Sequence, residues 1–141
     1  MKIVVVQRYV EDLDRIKKSL DRKDPDRGSK DVVFTTSPKT VLKNVLPDEK
    51  LLVFSSFVFD KETIQGPRFA KKIKELNPTA IFILFTVLAE IAFSGREFVD
   101  GVISKMEQKA FESVADILAS DLENATIESL GRDFPIINFN K

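Results

Sequence analysis

Three short apolar runs that end in polar residues constrain the fold of this 141-residue chain most strongly. The runs and the residues that end them are 51–54 with Ser55 and Ser56, 81–85 with Thr86, and 102–103 with Ser104 and Lys105. Continuous apolar runs between helical patterns are typical of parallel strands buried on both faces. The carboxyl ends of such strands meet at one edge of the sheet, where ligands bind. We therefore expect a site made of hydroxyl groups and a lysine.

Five strand-helix units follow one another along residues 1–122. Strands are predicted at 2–6, 31–35, 51–55, 80–85 and 100–104, and helices at 10–20, 38–46, 67–77, 87–98 (short or interrupted) and 106–122, the longest. This order predicts an α/β fold, a three-layer α/β/α sandwich around a parallel sheet with right-handed crossovers. Residues 123–141 fall outside the repeat as a C-terminal extension, whose run 135–139 either adds a strand at a sheet edge or docks on a partner.

Composition excludes several kinds of chemistry and partner. Lysine plus arginine equals aspartate plus glutamate at 22 each, so no net charge attracts nucleic acid or an anionic membrane. The chain has no cysteine and no histidine, which removes thiolate nucleophiles, the commonest general base and the usual transition-metal ligands. We see no targeting segment and no apolar stretch of the roughly 20 residues that span a bilayer. We expect a cytoplasmic protein that binds neither nucleic acid nor membrane.

The ends of the fourth and fifth predicted strands match the pattern of a known family. Thr86 ends strand four, and strand five carries Asp100-Gly101-Val102-Ile103-Ser104-Lys105. With five βα units in about 122 residues, this pattern resembles the receiver domain of bacterial response regulators. The resemblance implies a flavodoxin-like (βα)5 fold of receiver type and a role in two-component signal transduction.

The residues that carry the family's chemistry differ in this chain. The resemblance implies an aspartate at the end of strand three that accepts a phosphoryl group, and a magnesium ion held by an acidic pair after strand one. Here the acidic pair falls on Gln7 and Arg8, and the acceptor falls on Ser55, or on Ser56 with a one-residue shift. Arginine repels a divalent cation, and the chain has no histidine to activate a serine. The resemblance thus implies a degenerate phospho-acceptor site without metal, cofactor or catalysis, made of Gln7, Arg8, Ser55, Ser56, Thr86 and Lys105.

Two interpretations of the cations at this site stay open. Arg8 and Lys105 could form a basic pocket that holds phosphate or another small anion. Alternatively, Lys105 forms a structural ion pair and serves packing by bonding a hydroxyl or carbonyl group, and Arg8 is solvated. Three acids follow strand one, and we expect them on a solvated helix face rather than at a metal: Glu11, Asp12 and Asp14.

Aromatic residues in two places are candidates for an interaction surface. Phe57 and Phe59 follow strand three, where they either bind a partner or pack over the site as a lid. Phe93 and Phe98 lie around predicted helix four, where they either anchor a dimer or fold inward.

These observations favour a stand-alone pseudo-receiver that works by binding another protein, without aspartate phosphorylation and without enzymatic activity. The expected partners are another signalling protein and a second copy of the chain, through the surface around predicted helix four, strand five and helix five. The alternative is a flavodoxin-like small-molecule or anion sensor, or an enzyme, that uses the crevice at the strand ends.

Overall fold

The computed structural model describes residues 1–59, 64–87 and 97–139 of the chain. The strands are β1 (Lys2–Val6), β2 (Val32–Thr35), β3 (Leu51–Ser55), β4 (Ile81–Thr86), β5 (Gly101–Ser104) and β6 (Asn138–Phe139). The α-helices are α1 (Val10–Lys23), α2 (Pro38–Leu42), α3 (Gly66–Leu76), α4 (Ala110–Ala119) and α5 (Ile127–Asp133), and a 3₁₀ helix spans Gly28–Asp31. Within these ranges, no helix is long and apolar enough to cross a membrane.

The strands form one mostly parallel sheet in the order β2-β1-β3-β4-β5-β6. The first five pair in parallel, in the flavodoxin-like order, and β6 pairs antiparallel with β5. Because all five predicted strands are present and parallel, the predicted fold class is confirmed.

Both faces of the sheet are buried, which explains why the strand sequences are continuously apolar. Neighbouring residues of a strand point to opposite faces, so Phe54 packs in the core under α1, α4 and α5, whereas Val53 packs in the core under α2 and α3. In β4, Phe85 belongs to the first core and Phe82 to the second. The helices therefore cover the faces and leave only the ends and edges of the sheet for contact with other molecules.

Two predicted helices are shorter in the structure than their sequence patterns suggested. The helix predicted at 106–122 begins only at Ala110, because Ser104 accepts a hydrogen bond from Met106 and Lys109 adopts a left-handed backbone with φ 60°. At ten residues, α4 is shorter than the 14-residue α1, so the prediction of the longest helix was wrong. The helix predicted at 38–46 ends at Leu42. Most of the helix predicted at 87–98 lies outside the described residues.

The C-terminal extension contributes to the core of the sheet. Thr126 caps α5 with a reciprocal pair of hydrogen bonds to Ser129, and the chain then returns as β6 along the edge of β5. Gly101 permits this approach, since a Cβ atom there would lie 2.9 Å from Cγ2 of Ile137 and 3.0 Å from Cδ1 of Phe139. Of the two alternatives for 135–139, the edge strand is confirmed.

We expect Ile137→Ala to lower the free energy of unfolding by about 2–4 kcal/mol, because it leaves a cavity in the core shared with α4. Ile137 is 5% exposed and packs in the same cluster as Leu130 and Leu118. Urea denaturation measures the change, with Leu46→Ala as the control, since Leu46 is 60% exposed and its loss costs at most about 0.5 kcal/mol. Equal effects of the two substitutions would show that the extension folds separately from the sheet.

Candidate functional site

The carboxyl ends of β1, β3, β4 and β5 surround a small crevice. Its cavity has a volume of about 90 Å³, and its described lining residues are Arg8, Tyr9, Ser56, Phe57, Val58, Thr86, Val87 and Lys105. Four residues of the predicted site thus meet there: Arg8, Ser56, Thr86 and Lys105. No acidic side chain is among these lining residues.

Ser56 lies at the centre of a hydrogen-bond network that joins β3 to the end of β1. Its hydroxyl donates to Oε1 of Gln7 at 3.1 Å and accepts from the backbone N–H of Arg8 at 2.9 Å. The backbone N–H of Ser56 donates to Val6 at 2.9 Å. Gln7 is fully buried, and its amide also donates to the Val6 carbonyl at 3.0 Å. Ser56 and Gln7 therefore form a neutral pair whose side chains are hydrogen-bonded within the chain.

Ser55 is buried away from the crevice lining. As the last residue of β3 it has no exposed surface, and its hydroxyl donates to the carbonyl oxygen of Ser56 at 2.8 Å. Two positions were considered for the acceptor at the end of strand three, Ser55 and, with a one-residue shift, Ser56. The structure places Ser56 at the crevice. Ser56 is thus the residue to test.

Lys105 forms a structural ion pair, and its partner is a carboxylate rather than the hydroxyl or carbonyl group that was expected. Its ammonium lies 2.8 Å from Oδ2 of Asp12, and the two side chains are 12% and 21% exposed. The ammonium also lies 5.2 Å from the ring centroid of Phe85 and 5.9 Å from that of Phe111. Asp12 stands in the first turn of α1, where the positive end of the helix dipole stabilises a carboxylate. The expectation that Asp12 lies on a solvated helix face was wrong.

Helical spacing held a signal for this role of Asp12. Asp12 precedes the buried Ile16 by four residues, so both lie on the side of α1 that faces the sheet and α4. Glu11 and Asp14 are exposed, as expected. Among the described residues, no group of three or more acidic side chains is placed to hold a metal ion.

The aromatic candidates occupy different environments. Phe59 is 3% exposed and packs edge-on against Phe69 at 6.4 Å between ring centroids, so it belongs to the core rather than to an exposed interaction surface. Neither alternative holds for Phe59, because it packs inside the core against α3 and is not among the residues that line the crevice. Phe57 is half-buried at the crevice, and Phe98 is half-buried against the α3 side of the core. Phe93 lies outside the described residues.

Two exposed apolar residues at the crevice were not predicted from the sequence. Tyr9, after β1, is 46% exposed, and Val87, after β4, is 58% exposed, and both line the crevice. The guanidinium of Arg8 lies 4.9 Å from the ring centroid of Tyr9. The signal in the sequence is an apolar residue just after the polar strand end, where turns usually carry polar residues.

A double-mutant cycle tests the ion pair between Lys105 and Asp12. Lys105→Ala should lower the free energy of unfolding by about 1 kcal/mol, because a part-buried charged hydrogen bond is lost. The coupling energy with Asp12→Asn should be at least about 0.5 kcal/mol. The more exposed pair Lys23–Asp116, with side chains 31% and 56% exposed, is the control and should give a smaller coupling. Additive effects at Lys105 and Asp12 would contradict a stabilising pair.

Comparisons with known proteins identify the fold. No protein-family model and no curated protein matches the chain. The isolated receiver domain of RcsB from Salmonella enterica serovar Typhimurium, solved with the phosphomimetic BeF3−, is similar with a TM-score of 0.62 at 18% identity over 89% of this chain and 91% of that one. DrrB from Thermotoga maritima, a response regulator and OmpR/PhoB homologue, gives 0.60 at 21% identity over 93% of this chain, which spans 52% of DrrB. The signal receiver domain of an HD domain-containing protein from Pseudomonas fluorescens Pf-5 gives 0.60 at 22% identity, over 90% and 96% of the two chains. The chain therefore has the flavodoxin-like α/β fold of receiver domains.

Proposed function

We propose that the chain is a receiver-like signalling protein that acts by binding another protein, without phosphorylation of an aspartate. The fold supports a place in signal transduction, and the crevice supports the independence from phosphorylation. The observation that carries the proposal is the bonded pair of Ser56 and Gln7 where a phosphoryl-accepting site needs carboxylates.

The chemistry of phosphoryl transfer explains why the hydrogen-bonded pair of Ser56 and Gln7 argues against phosphorylation. Transfer to a side chain needs an activated nucleophile and a cation that offsets the developing charge. The Ser56 hydroxyl already donates to Gln7, and no described acid lines the crevice to bind a metal. The side chain of Arg8 at the same place adds a positive charge that disfavours a divalent cation.

The contacts of Lys105 support the proposal that the protein is held in one conformation. Its charge is balanced by Asp12 within the chain, and its ammonium is placed against two aromatic rings. An incoming phosphoryl group would have to compete with Asp12 for this lysine. In the proposed function, the conformation is therefore changed by a partner rather than by covalent modification.

A small-anion sensor is the second candidate. Arg8, Lys105 and the hydroxyl residues Ser56 and Thr86 line one cavity, which is a suitable set for an oxyanion. Its volume of about 90 Å³ is well below the ~300–1,000 Å³ of sites for drug-sized ligands. The candidate ligand is therefore an inorganic anion rather than an organic cofactor or substrate.

Homodimerisation is part of the proposal, with one restriction. Because β6 pairs with β5, the edge of β5 is not available for pairing with a second chain. A dimer on this side would use helix surfaces and Phe98.

We expect the wild-type chain to bind no BeF3− in the presence of Mg²⁺ and to accept no phosphoryl group from acetyl phosphate. NMR follows the amide of Ser56 during titration, and mass spectrometry follows the adduct. The triple variant Gln7→Asp/Arg8→Asp/Ser56→Asp is the matched comparison, and it should gain a Mg²⁺-dependent response because it supplies three carboxylates. A Mg²⁺-dependent shift or a stable adduct in the wild type would refute phosphorylation independence.

Titration with inorganic phosphate at constant ionic strength separates the two candidate functions. For a protein-binding role, we expect no saturable shift of the Ser56 and Val87 amides, because Lys105 is already paired. Saturable shifts that disappear in Lys105→Met but persist in Lys72→Met would favour the anion sensor.

A further inference from the structure

An apolar trough lies beside the edge strand β2, remote from the crevice. Val4 and Leu51 form its floor, Val41 and Val45 form the wall on the α2 side, and Val33 forms the outer wall. We call this cavity of about 200 Å³ the edge trough. Val4, Val41 and Leu51 are buried, whereas Val33 is 47% exposed at the mouth.

The trough is open because α2 is too short to cover it. A five-residue helix is only about 7.5 Å long, and the chain leaves the helix at Leu42. Polar groups at the rim are already hydrogen-bonded within the chain. The Lys2 ammonium donates to the backbone carbonyl of Asn44 at 3.1 Å, and the side-chain amide of Asn44 donates to the backbone carbonyl of Thr40 at 2.8 Å. The edge trough therefore offers apolar contact to a ligand.

The strand beside the trough has an available backbone edge. β2 is the outermost strand, and in the part of the chain that the structure describes no strand lies beyond it. The carbonyl of Thr35 accepts from Gln7 at 3.1 Å, on the β1 side. Peptide groups alternate in direction along a strand, so those of Phe34 point outward. An exposed strand edge of this kind is a template for pairing with another strand.

Positive charge borders this edge on both faces of the sheet. On the trough side of the sheet, the exposed Lys39 lies in α2 and the exposed Lys43 follows it as the C-cap. No acid lies in α2, and neither lysine pairs with a described carboxylate. On the other face, the ammonium of Lys17 lies 5.2 Å from the ring centroid of Phe34. The nearby Asp31 is paired with Arg27 at 3.7 Å. An acidic strand is therefore the electrostatic complement of the edge.

We propose that β2 and the edge trough bind an extended acidic segment of a partner protein, which adds to the sheet as a strand beside β2. Side chains of a strand alternate between faces. Large apolar side chains of the partner enter the edge trough, and its acidic side chains meet Lys17 on the other face. Lys39 and Lys43, beside the trough, attract the net negative charge of the segment. This surface is separate from the crevice and goes beyond the proposed function. Binding of a peptide at β2 is therefore independent of whether the crevice binds BeF3−.

Fluorescein-labelled seven-residue peptides of alternating glutamate and isoleucine are the probe. We expect saturable binding in fluorescence anisotropy. A lysine-isoleucine peptide of the same pattern, and a glutamate-isoleucine peptide with the two residue types in separate blocks, should each bind at least about 10-fold more weakly, since each loses charge or face complementarity. Hydrogen exchange of the Phe34 amide should slow on binding of the alternating acidic peptide.

Matched variants locate the binding surface. Val33→Gln and the pair Lys39→Gln/Lys43→Gln should each weaken binding by about 5-fold or more. The controls are Leu76→Gln, at an apolar residue 41% exposed on α3, and the pair Lys18→Gln/Lys72→Gln, at exposed lysines away from the trough. All four are surface changes, and thermal denaturation verifies that each variant is folded.

Three results overturn the proposal. The first is the absence of saturable binding by the alternating acidic peptide. The second is equal binding by edge variants and controls. The third is a wild-type dimer in sedimentation that Val33→Gln converts to monomer, because the occupant of the edge would then be a second copy of the chain.

Discussion

A parallel sheet of apolar strands is stable in water only when both of its faces are covered, and this constraint organises the molecule. Helices α1, α4 and α5 bury one face and α2 and α3 bury the other, so polar groups of the strands can meet other molecules only where this cover stops. Within the described residues, the cover stops at the crevice and at the outer edge of β2, whereas β6 closes the opposite edge. The places where a partner can bind thus follow from the lengths of the helices and from the C-terminal extension.

The polar groups at the crevice are satisfied within the chain. An unbalanced lysine or an unsatisfied backbone group at the end of a parallel sheet is costly when it is partly buried. Asp12 balances Lys105 from the first turn of α1, and Ser56 satisfies both Gln7 and the N–H of Arg8. These contacts make the site internally complete. The exposed apolar surface at this end of the molecule belongs to Tyr9 and Val87.

The sequence predicted the elements that depend on local residue patterns. It did not predict contacts between residues that are far apart in the chain. The five parallel strands and α3 were predictable, because apolar runs and the Gly66-Pro67 start are local signals. The meeting of Arg8, Ser56, Thr86 and Lys105 followed from topology alone. Helical spacing placed Asp12 on the sheet-facing side of α1, but its partner Lys105 lies 93 positions away, and no local pattern connects the two residues. The late start of α4 depends on the backbone of Lys109, which its residue type does not specify.

The two edges of the sheet, at β5 and at β2, differ in whether the chain covers them. At β5, the chain places its own strand β6 on the edge, and the ring of Phe139 packs over Gly101, where a side chain would collide. At β2, none of the segments that the structure describes adds a covering strand, and α2 stops after five residues beside an apolar trough. A short edge strand flanked by lysines resists pairing with another positively charged edge. The same charges favour pairing with an acidic strand. The β2 edge is therefore selective for an acidic partner because it is basic, and its trough is open because α2 is short.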